Sequence, residues 1–104
     1  MKIAIGSDHG GFNLKREIAN YLKQKGYDFS DYGTCDCGSA DYPDYGLAVA
    51  EAVKKGECDM GIIVCGTGLG ISMAANKVPG IRAAVCTDTY MARMSREHND
   101  ANVL

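Results

Sequence analysis

Val64-Cys65-Gly66-Thr67-Gly68-Leu69-Gly70-Ile71-Ser72 reads as a buried strand turning tightly into a helix. The apolar run Met60–Val64 leads into it, glycines fall at 66, 68 and 70, and a small-residue segment, Ile71–Asn76, follows with helical character. Glycine lets the backbone turn sharply and lets a ligand approach it closely. The start of a helix leaves N–H groups without intrahelical partners, and such a spot suits an anion. Cys65 stands beside it. A thiol near a helix N-terminus tends toward the thiolate, its reactive form. The stretch therefore offers a base or nucleophile next to a cradle for negative charge. A glycine-rich turn with a buried structural cysteine is the competing reading, and the stretch alone leaves both open.

Working outward, the chain alternates. Lys2–Gly6 reads as a short buried strand, and Ser7-Asp8-His9-Gly10-Gly11 as a polar turn. Leu14, Ile18, Tyr21 and Leu22 recur at helical spacing, with Lys15, Arg16, Glu17 and Lys23 assigned to the opposite face and Gly26 as the stop. Tyr27–Tyr32 is a second strand, placed near an edge by Asp28, Ser30 and Asp31. After the loop 33–42, Pro43 opens a helix whose apolar face is Tyr45, Ala48, Val49, Ala52 and Val53. Beyond the central turn, Pro79-Gly80 breaks the chain and Ile81–Cys86 reads as a fourth strand. Thr87 or Asp88 caps a helix carrying Tyr90, Met91 and Met94, and Ala101–Leu104 begins a fifth apolar run. The order predicts an α/β fold: a three-layer, Rossmann-like (flavodoxin-like) parallel sheet of five strands, helices on both faces. The last strand and the helix expected after it read as incomplete, so residues 1–104 read as one domain lacking its C-terminal part.

With 46% hydrophobic and 23% charged residues, the 104-residue chain has a globular composition. A formal net charge of −2 gives no basic surface for nucleic acid, and no apolar run is long enough to span a membrane. No secretory leader is visible and the five cysteines are an odd number, so free thiols in a cytoplasmic setting are expected rather than a disulfide framework.

Ligands of open parallel sheets bind beyond the carboxyl ends of the strands. Ser7, Asp8 and His9 fall there, as do Cys35, Cys37, Asp41 and Tyr42, then Cys65–Gly70, then Thr87 and Asp88. Acid, imidazole, thiol, hydroxyl and a backbone anion cradle thus share one edge. Arg82 begins a strand and belongs at the other edge.

Five stretches carry a resemblance: Gly-Ser-Asp-His-Gly-Gly-Phe at 6–12, Asp-Tyr-Pro-Asp-Tyr at 41–45, Cys-Gly-Thr-Gly-Leu-Gly at 65–70, Ala-Asn-Lys-Val-Pro-Gly-Ile-Arg-Ala-Ala at 75–84 and Ser-Arg-Glu-His-Asn-Asp-Ala-Asn-Val-Leu at 95–104. Together, in this order, they resemble the ribose-5-phosphate isomerase B family. The resemblance implies interconversion of D-ribose 5-phosphate and D-ribulose 5-phosphate through an enediolate, with no metal or organic cofactor. It implies Cys65 as the base, where some relatives carry a glutamate in the loop. It implies the N–H groups of Gly66, Gly68, Leu69 and Gly70 as the oxyanion cradle, and Thr67 as a group helping a proton between O1 and O2. His98 would open the sugar ring with Asp8 nearby, His9 would face the phosphate, Asn99 would bind a sugar oxygen, and Tyr42 would line the pocket. It further implies a homodimer, with a tetramer as the alternative, in which His98 and Asn99 complete a neighbour's site. It places phosphate-binding arginines beyond Leu104.

Two other substrate or function classes share these features. One is an isomerase of a six-carbon sugar phosphate such as galactose or allose 6-phosphate. The other is a non-catalytic flavodoxin-like nucleotide-binding module, against which stand the missing G-x-G-x-x-G fingerprint in the first turn and the thiol at the cradle. A thiol redox role would rest on Cys35 and Cys37, whose spacing is not that of a C-x-x-C motif. Asp8 as a helix cap, Thr67 as turn chemistry, His98 as a dipole partner, and Cys58 and Cys86 as core residues are the structural counterparts of these readings.

Overall fold

The computed structural model describes residues 1–33 and 42–104. Cys35, Cys37 and Asp41 lie outside the described residues, and so do the side chains of Tyr42, Pro43 and Asp44. Strand β1 (Lys2–Ser7) runs through the middle of a parallel sheet, between β2 (Asp28–Asp31) and β3 (Met60–Val64). Its register pairs Ile3 with Met60 through Ser7 with Val64 on one side, and Lys2 with Asp28 through Ile5 with Asp31 on the other. A central parallel strand is buried on both faces, and Ile3, Ala4 and Ile5 are buried accordingly. The polar β2 lies on the edge, as its composition predicts.

Helices cover both faces. On one, Ile3 and Ile5 pack with Leu22, Ile18 and Ala19 of α1 (Phe12–Gln24) and with Ile62. On the other, Ala4 and Ile63 pack with Val49 and Ala50 of α2 (Tyr42–Lys54) and with Ile71 and Ala75 of α3 (Leu69–Ala75). Small residues in the sheet let α2 come close: a Cβ at Gly61 would lie 2.6 Å from Val49 Cγ1. The last helix, α4 (Thr89–Glu97), begins at Asp88, whose Oδ1 accepts the Met91 N–H at 2.8 Å. It lies on the α1 face, where Ala92 and Ser95 border an apolar cavity of about 210 Å³ with Ile3, Met60, Ile62 and Leu104. Among the described residues no helix is long and apolar enough to cross a membrane.

Two expectations need correction. The described sheet has three strands rather than five, because Ile81–Cys86 and Ala101–Leu104 enter it only as single parallel bridges, Val103 to Gly61 and Val103 to Ala83. The 101–104 segment slots between β3 and residues 82–84. Gly61 N–H donates to Asn102 O at 3.0 Å and Ile63 N–H to Leu104 O at 2.8 Å on one side, and Ala84 N–H donates to Val103 O at 3.0 Å on the other. The spatial sequence beyond β3 is thus the fifth run, then the fourth, unlike the simple flavodoxin order. Pairing starts only at Asn102, so residues 102–104 alone make these ladder bonds. The outer edge of residue 83 is met instead by a side chain: Asn76 Oδ1 accepts the Ala83 N–H at 2.7 Å and Asn76 Nδ2 donates to the Ala83 carbonyl at 2.9 Å.

The second correction concerns the phase of α1. Lys15, assigned to the outer face, is 3% exposed, whereas Leu14 is 52% and Tyr21 55% exposed. The Lys15 ammonium turns inward onto both oxygens of Asp31, at 2.9 and 3.0 Å.

Candidate active site

Strand order reverses at β1, with β2 to one side and β3 to the other, so a crevice opens beyond the carboxyl ends of β1 and β3. Asp8 and His9 leave β1 there, and Cys65 leaves β3. The two turns are joined directly. Asp8 N–H donates to the Val64 carbonyl at 3.2 Å, and Asp8 Oδ1 accepts the Gly11 N–H at 2.9 Å. Asp8 therefore caps the short 3-10 turn His9–Gly11 rather than α1 itself. Gly11 presses on the end of β3 so closely that a Cβ there would lie 2.5 Å from the Val64 oxygen. Gly10 faces the next turn, where a Cβ would lie 3.4 Å from Gly66 N. His9 is exposed beside them.

Cys65 is half-buried and carries a free thiol. It borders a cavity of about 210 Å³ with Gly66, Thr67, Gly68, Ser72 and Cys86. The exposed Gly66 and Thr67 lead to Gly68, whose φ of 80° lies in the left-handed region that glycine adopts without strain. Helix α3 starts at Leu69, so the N–H groups of Leu69, Gly70 and Ile71 precede its hydrogen-bond ladder, which opens with Ser72 N–H to Gly68 O at 3.2 Å. Thr67 Oγ1 accepts the Leu69 N–H at 3.2 Å, which removes one donor from the cradle and leaves the hydroxyl proton directed elsewhere. The turn role of Thr67 is therefore real and compatible with a second one.

Sequence reasoning missed Ser72, which is 8% exposed, lines the same cavity and donates from Oγ to the Leu69 carbonyl at 2.9 Å. A serine one turn into a helix that starts at a glycine-rich loop was the signal available.

His98 and Asn99 are not brought to this edge. They follow α4, which runs back along the sheet, and Ala101 N–H then bonds to Ser95 O at 2.9 Å before Asn102 meets the start of β3. Both residues are exposed, at the amino-terminal end of the strands. Arg82 lies at that end too, as expected, with Nε donating to Asp100 O at 2.7 Å. Tyr42 opens α2. Among the described residues no three His, Cys, Asp or Glu side chains converge on a point that could hold a metal ion.

Known proteins resemble this chain along its whole length. Residues 3–104 match the family described as Ribose/Galactose Isomerase. The chain belongs to the ribose/galactose isomerase family. Among its relatives, ribose-5-phosphate isomerase B of Escherichia coli is 55% identical over 103 residues, an alignment covering 99% of this chain and 69% of the relative. A galactose-6-phosphate isomerase subunit of Clostridium acetobutylicum is 50% identical, covering 100% of this chain and 60% of its own. The solved structure of Clostridium thermocellum ribose-5-phosphate isomerase B superimposes with a TM-score of 0.98 at 76% identity, over 100% of this chain and 70% of that one. The chain thus spans about 70% of the length of that structure, and family membership makes it a sugar-phosphate isomerase by class. The expected enzyme class and the parallel α/β architecture stand on these likenesses together with the geometry above.

Proposed function

We propose that this isomerase family member interconverts D-ribose 5-phosphate and D-ribulose 5-phosphate. The observation that carries the reading is the Asp8–Val64 hydrogen bond, which joins the Asp8 turn to the residue before Cys65. The 76% identity with a ribose-5-phosphate isomerase B supports the five-carbon substrate.

In the proposed chemistry the Cys65 thiolate takes the C2 proton of the opened aldose. The C–H electron pair forms the C1–C2 double bond, and the carbonyl electrons move to O1, giving an enediolate. The N–H groups of Gly66, Gly68 and Gly70 hold the developing negative charge, as preorganised donors do at oxyanions, while that of Leu69 is held by Thr67. Thr67 relays the proton between O2 and O1, and the Cys65 thiol returns its proton to C1, completing the ketose. Asp8 and His9 bind the sugar hydroxyls and the phosphate, and Tyr42 is the pocket-lining residue that the family resemblance implies. His98 and Asn99 lie at the opposite end of the strands in this chain, which supports a reading in which they act on a second copy's substrate.

The test is turnover of ribose 5-phosphate beside galactose 6-phosphate by the same preparation. The reading predicts the five-carbon sugar as the better substrate, and a drop of about 10²–10⁴-fold on Cys65→Ala, the range for removing a general base. Preference for the six-carbon phosphate would transfer the assignment to the chemistry named for the C. acetobutylicum relative. Undiminished turnover by the alanine variant would remove Cys65 from the base role.

A further inference from the structure

Lys15 occupies a place where an amphipathic helix ordinarily sets an apolar residue. It and Leu22, about two turns further on, are the buried residues of α1. Burying an ammonium is expensive, and its partner Asp31 keeps 43% of its side chain exposed, so the pair is weak evidence for stability in itself. What such a pair does supply is a defined geometry, since a charge can be satisfied in few positions while an apolar contact can slide.

The contacts of Asp31 show what is being fixed. Both of its oxygens face the Lys15 ammonium, and Oδ1 also accepts the Gly33 N–H at 3.0 Å. The Gly33 carbonyl in turn accepts the Ser7 N–H at 3.2 Å. Ser7 is the last residue of β1, immediately before Asp8. Gly33 adopts a φ of 120°, and a Cβ there would lie 2.4 Å from the Tyr45 ring, so α2 closes the turn from the other side. One charge pair anchored on the first turn of α1 thereby holds two chain exits: that of β1, which presents Asp8 and His9, and that of β2, which leads into residues 34–41.

We infer that Lys15 and Asp31 form a positioning pair for the sugar-phosphate crevice, setting where the Asp8 turn stands relative to the Cys65 turn. The inference rests on the function proposed above for its catalytic consequence, and on the hydrogen-bond chain alone for its structural one. Neither residue touches substrate; both act through Gly33 and Ser7.

The experiment compares the unaltered chain with Asp31→Asn and Lys15→Met, and with Asp31→Glu as the conservative variant. Amide hydrogen exchange is read residue by residue, and turnover is expressed per folded molecule at a temperature where every variant is folded. The pair predicts that the Ser7, Asp8 and Gly33 amides exchange about tenfold faster or more in Asp31→Asn and Lys15→Met while those of Ile5 and Ile63 do not change, the local signature of a lost charged hydrogen bond rather than of global unfolding. It predicts that turnover per folded molecule falls about tenfold or more, as small misplacements of reacting groups do, and that Asp31→Glu recovers part of both. Uniform acceleration of all amides, or none, would overturn the inference by reducing the pair to general stability or to nothing. A local change in exchange with undiminished turnover per folded molecule would overturn it as a positioning device. If the unaltered chain neither binds nor converts ribose 5-phosphate, the functional proposal fails by itself, and the exchange pattern still decides what the pair holds.

Discussion

The main-chain N–H of Asp8 reaches across to the carbonyl of Val64 at 3.2 Å, tying the first turn after β1 to the last residue of β3. Asp8 and Val64 are 56 positions apart in the sequence, yet this bond, backed by Gly11 against the same carbonyl, holds the two turns close together. The proposed chemistry depends on two loops keeping that spacing.

Gly11→Ala tests the spacing directly. A methyl group placed 2.5 Å from the Val64 oxygen must push the two turns apart, because the obstacle is backbone rather than a movable side chain. We expect a loss of about 1–3 kcal/mol in urea denaturation, typical of overpacking, and a weaker affinity for ribose 5-phosphate by isothermal titration. An alanine variant as stable as the parent, with unchanged affinity, would show that the turns have room the structure does not contain.

Asn76→Leu tests the closure of the sheet edge. The asparagine amide imitates a neighbouring strand for Ala83, and leucine leaves the Ala83 N–H and C=O without that partner. Because both groups face outward they can recover water, so the expected loss is about 1–2 kcal/mol in thermal or chemical melting, below that of fully buried groups. A melting point equal to the parent's would mean that the clamp contributes nothing.

Much of this arrangement was readable from residue order. The run Met60–Val64 is the strand β3 as bounded by its composition, and the glycines that follow it mark the turn into α3. The edge position of β2 followed from side-chain chemistry alone, and of the two caps the sequence offered, Thr87 and Asp88, the structure uses Asp88. The burial of Lys15 did not, because periodicity assigns a charged residue outward and only the distant Asp31 reverses that assignment. Nor did the insertion of residues 101–104 between β3 and residues 82–84, since local pattern identifies a strand but not its neighbours. The position of His98, at the end of the strands away from Cys65, depends on that same topology.

Tyr32 gives a pH-dependent check on the α2 face. Its hydroxyl lies 3.8 Å from the Cys58 sulfur and 3.5 Å from the Glu57 carboxylate. The interaction with Cys58, then desolvation, then the charge of Glu57 raise its pKa above the ordinary tyrosine value. The native state therefore holds the phenolic proton more tightly than the unfolded chain. The stabilisation is complete below about pH 10 and is lost as pH rises through the raised native value. Denaturation of the parent and of Tyr32→Phe should differ by a constant amount from neutral pH to about pH 10, with the parent losing ground above it. A difference that grows in the parent's favour above that pH would contradict the direction of the shift.

The most direct test of the account is the entry of solvent deuterium at carbon during turnover of ribose 5-phosphate in heavy water, followed by proton NMR in the parent and in Cys65→Ala. The account predicts deuterium at C1 of the ribulose 5-phosphate formed by the parent, because the S–H of the half-buried Cys65 exchanges with solvent before a proton is returned, and a rate lower by about 10²–10⁴-fold in the alanine variant, which lacks the base. Deuterium appearing at the parent's rate in Cys65→Ala would contradict it, and would place the base elsewhere in the crevice.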